Sequence, residues 1–213
     1  FGIGTDSPVG VYVNGIYTGK TGGAMLNFND IKRVEVLKGP QGTLFGRNSA
    51  GGAISVISND PTASFAANGL VRMGNQASVH TEAMVNQPLG DDLALRFSAV
   101  TQRREGWATN VTTALRSPQD NAWGARLALR WSPGDSTSAV LSWEHEDLDQ
   151  RPRPVFSVLA ATPTFDSNPA TFVDPRKQPL RNDVVNGRED RLFDGLTLRV
   201  EHEFGFGTFS SLT

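Results

Sequence analysis

Apolar and polar residues alternate along most of the chain beyond residue 62, as in strands with one apolar and one polar face. In residues 123–131, one face carries Trp, Ala and Leu side chains, whereas the other carries Arg126 and Arg130. Unpaired arginines are costly to bury in a dry core, so the polar face is expected to meet water or polar partners. The alternation predicts seven strands. They are residues 65–74, 77–87, 93–102, 123–131, 139–146, 196–203 and 208–213.

The connections between these predicted strands alternate in length. Residues 88–92, 132–136 and 205–207 form short links, whereas 105–122 and 151–193 are long. Every second connection of an antiparallel meander emerges at the same end, so one end has tight turns and the other has long loops. That asymmetry is typical of outer-membrane β-barrels. A soluble β-sandwich is the alternative, because alternation does not tell whether the apolar face contacts lipid or a second sheet.

The beginning of the chain has a different pattern, with short β-like runs separated by glycine-rich turns. Asn14-Gly15 predicts a two-residue turn between strands at 11–13 and 16–17. Asn29-Asp30 predicts the cap of one helical turn that leads into residues 32–37.

The composition shifts near Asp60-Pro61-Thr62, and every tryptophan follows this point. We therefore expect one domain in residues 1–62 and a second in residues 63–213.

Composition and motifs argue against several kinds of chemistry. The net charge is −2, so the chain offers no overall positive field for a nucleic acid, and the lack of cysteine removes thiolate chemistry. Residues 14–21 end in Gly-Lys-Thr but begin with Asn, where a phosphate loop needs Gly. Residues 145–149 lack the second His of a zinc-protease signature. We expect no enzyme, no cofactor and no resident metal.

Residues 37–54 contain five glycines between two β-like runs. Their spacing fits neither a dinucleotide fingerprint nor a phosphate loop, which would need Lys where Gly52 stands. Glycine tolerates positive φ and close backbone contact, so these residues are predicted to serve turns and tight packing. They are Gly39, Gly42, Gly46, Gly51 and Gly52.

Residues 30–61, DIKRVEVLKGPQGTLFGRNSAGGAISVISNDP, resemble the plug domain of TonB-dependent outer-membrane receptors. Residues 7–20 resemble the segment that precedes this motif in the family. The resemblance implies an all-β chain with a small α/β plug, followed by about seven strands of a transmembrane antiparallel β-barrel of about 22. It places the chain in the bacterial outer membrane, in contact with its lipid, as a piece of a longer receptor.

The resemblance also implies a function. Members of this family import a scarce nutrient, most often a ferric siderophore, when the periplasmic energy-coupling protein TonB rearranges the plug. The excess of basic over acidic residues in 151–193 favours an anionic ligand. A signalling or adhesion receptor on the same barrel and a soluble β-rich ligand-binding module are the alternatives. The cargo, its contact residues and the oligomeric state are left open.

In this family, the plug arginine that matches Arg33 tends to pair with glutamates on the inner wall of the barrel. The resemblance therefore implies that Arg33, together with Glu35 and Arg47, forms a latch between plug and barrel. The polar faces of the later strands are expected to line the lumen. Their charged members are Arg72, Arg96, Arg126, Arg130, Arg199 and Glu201.

Overall fold

The computed structural model describes residues 8–18, 29–46, 48–110, 114–151 and 187–213. These residues form two main sheets, a short two-stranded hairpin and one short helix. The strands are β1 (Val9–Val13), β2 (Ile16–Tyr17), β3 (Ile31–Lys38), β4 (Gly52–Ser58), β5 (Ala66–Gly74), β6 (Ser78–Pro88), β7 (Leu93–Arg104), β8 (Ala108–Thr109), β9 (Arg116–Ser117), β10 (Asp120–Trp131), β11 (Thr137–Gln150), β12 (Glu189–Phe204) and β13 (Gly207–Leu212), and the helix is α1 (Gly42–Phe45). No helix in the described part of the chain is long and apolar enough to cross a membrane.

The large sheet is an antiparallel meander of seven strands in the order β13-β12-β11-β10-β7-β6-β5. The seven predicted strands are therefore confirmed, although several are longer than expected. β10 begins at Asp120 and β12 at Glu189, so both lie partly within segments that were predicted to be loops. The predicted loop 105–122 also contains the small hairpin β8-β9.

The small sheet has four strands in the order β2-β1-β4-β3, with β1 parallel to β4. Its core contains small and β-branched side chains, including Val11, Ala53 and Val56, together with Tyr12. The predicted β1-β2 hairpin is confirmed, because Asn14 and Gly15 both have positive φ, at 50° and 87°. Positive φ at both central residues matches the turn to the twist of the strands.

The predicted helical turn after Asn29-Asp30 is wrong. Residues Ile31–Lys38 form strand β3, which pairs antiparallel with β4 and is rich in residues that favour strands. Asp30 has a φ of 54°, and its carboxylate binds Arg96 of the large sheet instead of capping a helix.

The two faces of the large sheet differ as the alternation predicts. The small sheet lies against the arginine-bearing face, which we call the inner face. The opposite, outer face is apolar and exposed, as expected of a surface that contacts lipid. Its exposed apolar side chains include Val71, Val85, Phe97, Trp123, Leu127, Trp131, Leu141, Trp143, Leu196 and Leu198.

Candidate functional site

Four arginines of the inner face bind the small sheet near one corner, where β4 ends and β3 begins. The period of two along each strand places all four on the same side of the large sheet. Two of them bind carboxylates and two bind backbone carbonyl oxygens. The contacts are Arg96 to Asp30, Arg126 to the carbonyl of Asn59, Arg199 to Asp60 and Arg130 to the carbonyl of Pro61.

The pair between Arg96 and Asp30 is the most buried of these contacts. The side chains are 9% and 5% exposed, and the guanidinium reaches both carboxylate oxygens at 2.6 and 2.5 Å. A two-point contact of this kind fixes geometry as well as charge. By contrast, Arg199 and Asp60 are each about one-third exposed, with Nη2 and Oδ2 2.5 Å apart.

Asn59 joins the two strand ends that these arginines hold. Its side-chain amide donates to the backbone oxygen and the Oδ1 of Asp30, at 3.2 and 3.0 Å. Its backbone N–H donates to the same backbone oxygen at 3.0 Å. The start of β3 and the end of β4 therefore form one unit, which we call the anchored corner (residues 30 and 59–64).

The segment that leads from the small sheet into β5 is held by Asn86 of β6. This side chain is fully buried, and it accepts from the backbone N–H of Thr62 at 2.9 Å. It also donates to the backbone oxygens of Thr62 and Ser64, at 2.9 and 2.7 Å. A buried amide that makes these three hydrogen bonds fixes the position of the segment on the large sheet, which we call the wall.

A second set of hydrogen bonds links the β1-β2 turn to the inner face. Asn14 exchanges two hydrogen bonds with Ser58, at 2.9 and 3.1 Å, and its amide also donates to Oε1 of Glu144 at 3.3 Å. The same Glu144 oxygen accepts from Nε of Arg126 at 3.2 Å. Arg126 thus connects the anchored corner and the turn.

Beside this turn lies a cavity of about 490 Å³ between the hairpin and the inner side of β11 and β12. The hairpin contributes residues 13–14 and 16–18, and the wall contributes Glu144, Glu146, Arg191 and residues 193–197, which include Phe193 and Asp194. Glu146 is almost fully buried and accepts a hydrogen bond from Nη2 of Arg191 at 2.7 Å. The arrangement contains charge pairs and hydrogen bonds but none of the nucleophile-and-base geometry that catalysis requires.

The residues predicted to form a latch lie elsewhere on the small sheet. Arg33 and Glu35 are half-exposed and pair with each other along β3, with Nε and Oε1 2.6 Å apart. Arg47 lies outside the described residues. The latch role of the three remains a prediction.

The five glycines of residues 37–54 occupy different environments. φ is positive at Gly39, Gly46 and Gly52, whereas Gly42 begins helix α1 with open space around it. A Cβ on Gly51 would lie 3.3 Å from the backbone oxygen of Pro8. Their turn and packing roles remain a prediction.

Sequence reasoning missed the residues that make the contact from the side of the small sheet. The pattern predicts a helix cap at Asn29-Asp30 and only a domain boundary at Asp60-Pro61-Thr62, and it assigns no role to Asn59. Asn14 was assigned to its turn alone, although the same side chain reaches Glu144. One signal for Asn86 was available in the sequence, because the apolar Met84 lies two positions away and therefore shares its face of the strand.

Comparison with known proteins gives the class of this chain. Residues 1–53 match the TonB-dependent Receptor Plug Domain family. The catecholate siderophore receptor Fiu of Escherichia coli O157:H7 is 29% identical over 215 residues, which is 96% of this chain. The chain spans 26% of the length of that receptor.

Two solved structures share the fold. The siderophore receptor PiuA of Acinetobacter baumannii superposes with a TM-score of 0.72 at 20% identity, covering 97% of this chain and 28% of that one. The ferripyoverdine receptor of the outer membrane of Pseudomonas aeruginosa gives a TM-score of 0.70 at 21% identity, covering 95% and 27%.

These comparisons and the two packed sheets define an outer-membrane protein of the plug-and-barrel type. The chain is similar to the TonB-dependent receptors, with a plug-domain match at residues 1–53 and seven antiparallel strands in its large sheet. The relatives are receptors and transporters, so the expectation that the chain is not an enzyme is confirmed.

Proposed function

We propose that this chain is part of a receptor that imports a ferric siderophore across the bacterial outer membrane, with the small sheet as the plug. The likeness to a catecholate siderophore receptor over 96% of the chain is the observation that carries the proposal. The division into a plug at residues 1–62 and a barrel portion at residues 63–213 belongs to the same proposal. It is supported by the two sheets, whose strands span residues 9–58 and 66–212.

The contacts between the sheets suit a plug that must stay in place at rest and shift during import. They are hydrogen bonds and ion pairs to a polar wall. Once the contact loosens, water can form these hydrogen bonds in place of the plug. An apolar contact of the same size would expose its surface to water at every opening. We infer that the periplasmic protein TonB supplies the energy for the shift, and that Arg33, Glu35 and Arg47 add a latch.

The proposal is tested with the full-length receptor in bacteria that lack their own siderophore receptors. Cells are given ferric catecholate or ferripyoverdine labelled with radioactive iron, in strains with and without TonB. We expect uptake of at least one complex that requires both the receptor and TonB. Binding without uptake in the strain that has TonB would favour a signalling or adhesion receptor. Failure to bind either complex would contradict a siderophore receptor of these two classes.

A further inference from the structure

The small sheet is held to the inner face unevenly. At the anchored corner, four arginines and Asn86 bind Asp30 and residues 59–64. Along the β1-β2 hairpin, a side-chain hydrogen bond from Asn14 Nδ2 reaches Glu144 Oε1 on the wall at 3.3 Å. That distance exceeds the usual value of about 3.0 Å, so the contact is weak.

The weakly held side also borders the open space. The cavity of about 490 Å³ lies between residues 13–18 of the hairpin and the inner side of β11 and β12. Its volume falls within the range of about 300–1,000 Å³ that small-molecule clefts have. Tyr17 lines it from the hairpin and Phe193 from the wall.

Most of the carboxylates around this space are paired with arginines. Glu144 binds Arg126 at 3.2 Å, Glu146 binds Arg191 at 2.7 Å, and Asp194 lies 2.8 Å from His145. Because the described lining carries no excess of positive charge, it has no field that would retain an anionic chelate. The lining is therefore better suited to passage than to tight binding.

Breaking the contact between Asn14 and Glu144 leaves neither group without a partner. Asn14 keeps its two hydrogen bonds to Ser58, and Glu144 keeps Arg126. Separating Arg96 from Asp30 would instead leave a buried charge on each side, which is far more costly. The small sheet can therefore leave the wall along the hairpin more easily than at the anchored corner.

We propose that the cargo passes through the cavity between the β1-β2 hairpin and β11-β12, and that the Asn14–Glu144 contact is its gate. The small sheet pivots about the anchored corner and moves away from the wall along the hairpin. The inference rests on the proposed function as an importer. It adds the route and the residues that open it.

Residues 1–213 contain no cysteine, so within this part of the receptor a cross-linker reacts with the introduced cysteines alone. In the full-length receptor, the gate pair is Asn14→Cys with Glu144→Cys, and the matched anchor pair is Asp60→Cys with Arg199→Cys. Each pair is closed by a short bis-methanethiosulfonate cross-linker, which forms a reducible disulfide with each cysteine and releases methanesulfinate, and is compared with its own reduced form. This comparison removes any effect of the substitutions on folding.

We expect the bridged gate to lower uptake of ferric catecholate or ferripyoverdine about tenfold or more, and the bridged anchor to change it less than about twofold. Reduction should restore uptake through the gate variant. If both bridges abolish uptake, the whole plug must leave its place. If neither bridge lowers uptake, the cargo takes another route. Either result would overturn the proposal.

A second readout does not depend on the cargo. The purified receptors are placed in planar lipid bilayers, and ion current is measured while mild urea loosens the plug. We expect the gate bridge to suppress the current and the anchor bridge to leave the current unchanged. Equal currents through the two bridged receptors would overturn the route. If the reduced receptors import neither complex, the proposed function fails, while these currents still decide the route.

Discussion

Arg96 and Asp30 lie 66 positions apart in the chain and form a buried ion pair between the two sheets, with both carboxylate oxygens bound. The pair joins the residue that precedes β3 to strand β7 of the wall. Because the side chains are 9% and 5% exposed, removing one partner leaves the other poorly hydrated while the sheets stay packed. This one contact explains much of how the plug is held.

Replacing Arg96 with Ala should therefore destabilise the plug by about 3–5 kcal/mol, since it leaves the Asp30 carboxylate buried without its partner. The full-length receptor is incubated with protease at increasing urea concentrations, and the urea concentration at which half of the plug is cleaved is compared between the variant and the unsubstituted receptor. A lower midpoint reports the loss. Arg72→Ala is the control, because Arg72 is 66% exposed and lies 3.7 Å from Glu82. A loss below about 1 kcal/mol is expected there. Equal losses would contradict the role of burial.

Asn86→Ala should cost about 2–4 kcal/mol, because the buried Asn86 amide loses three hydrogen bonds to the backbone of residues 62–64, each worth about 1 kcal/mol. The same urea and protease assay reports the effect. The adjacent Gln87→Ala is the matched control, since Gln87 is exposed and bonds only to the neighbouring Pro88 oxygen. If both variants behave alike, Asn86 does not hold this segment to the wall.

Gly52 and Gly42 should respond differently to Ala, although the sequence assigned both to turns and packing. Gly52 has a φ of 144°, and a Cβ there would collide with the backbone oxygen of Leu37. Gly52→Ala should cost at least about 2 kcal/mol through strain and overpacking. Gly42 has open space around it, so Gly42→Ala should be neutral. Thermal or urea unfolding of the plug distinguishes the two, and a neutral Gly52→Ala would refute the packing role.

Arg33→Ala tests the predicted latch. If Arg33 pairs only with Glu35 along an exposed strand edge, the variant should lose less than about 1 kcal/mol. If Arg33 also binds the barrel wall in the full-length receptor, the loss should exceed about 2 kcal/mol. A double-mutant cycle with Glu35→Ala isolates the pair between them. Coupling that accounts for the whole loss would remove the latch.

Leu141→Arg tests the outer face. Leu141 is exposed and pairs across the sheet with Leu129 and Leu198, so it should lie in the hydrocarbon layer. An arginine there should cost about 2–4 kcal/mol of folding free energy in lipid vesicles. Ser210→Arg is the control, because Ser210 pairs with the inner-face residue Glu201. Similar losses for the two variants would contradict an outer face in lipid.

The pattern of the chain predicted the elements well wherever a local rule decides them. Period-two alternation placed seven strands and separated the arginines of the inner face from the leucines of the outer face. The Asn14-Gly15 turn was predicted correctly because its φ values depend on two adjacent residues. The prediction of a helical turn after Asp30 failed, because residues that cap helices are also common in turns that precede strands.

The small sheet's contacts with the wall were predicted less well. The inner face was expected from Arg96, Arg126, Arg130 and Arg199, but their partners were not. Asp30, Asn59 and Asp60 are polar residues at turns, which are common and usually solvated. No local feature of the sequence distinguishes the few polar turn residues that contact the wall.

The amino-acid pattern was therefore enough to establish a β-rich chain with a polar and an apolar side, because side chains alternate along any strand whatever its surroundings. It did not reveal that Arg199 binds Asp60 across 139 positions or that Asn14 reaches Glu144 across 130. Such pairs depend on how two sheets pack, and packing brings together residues that share no local signal. The difference between the anchored corner, which has many contacts with the wall, and the β1-β2 hairpin, which has fewer, follows from that packing alone.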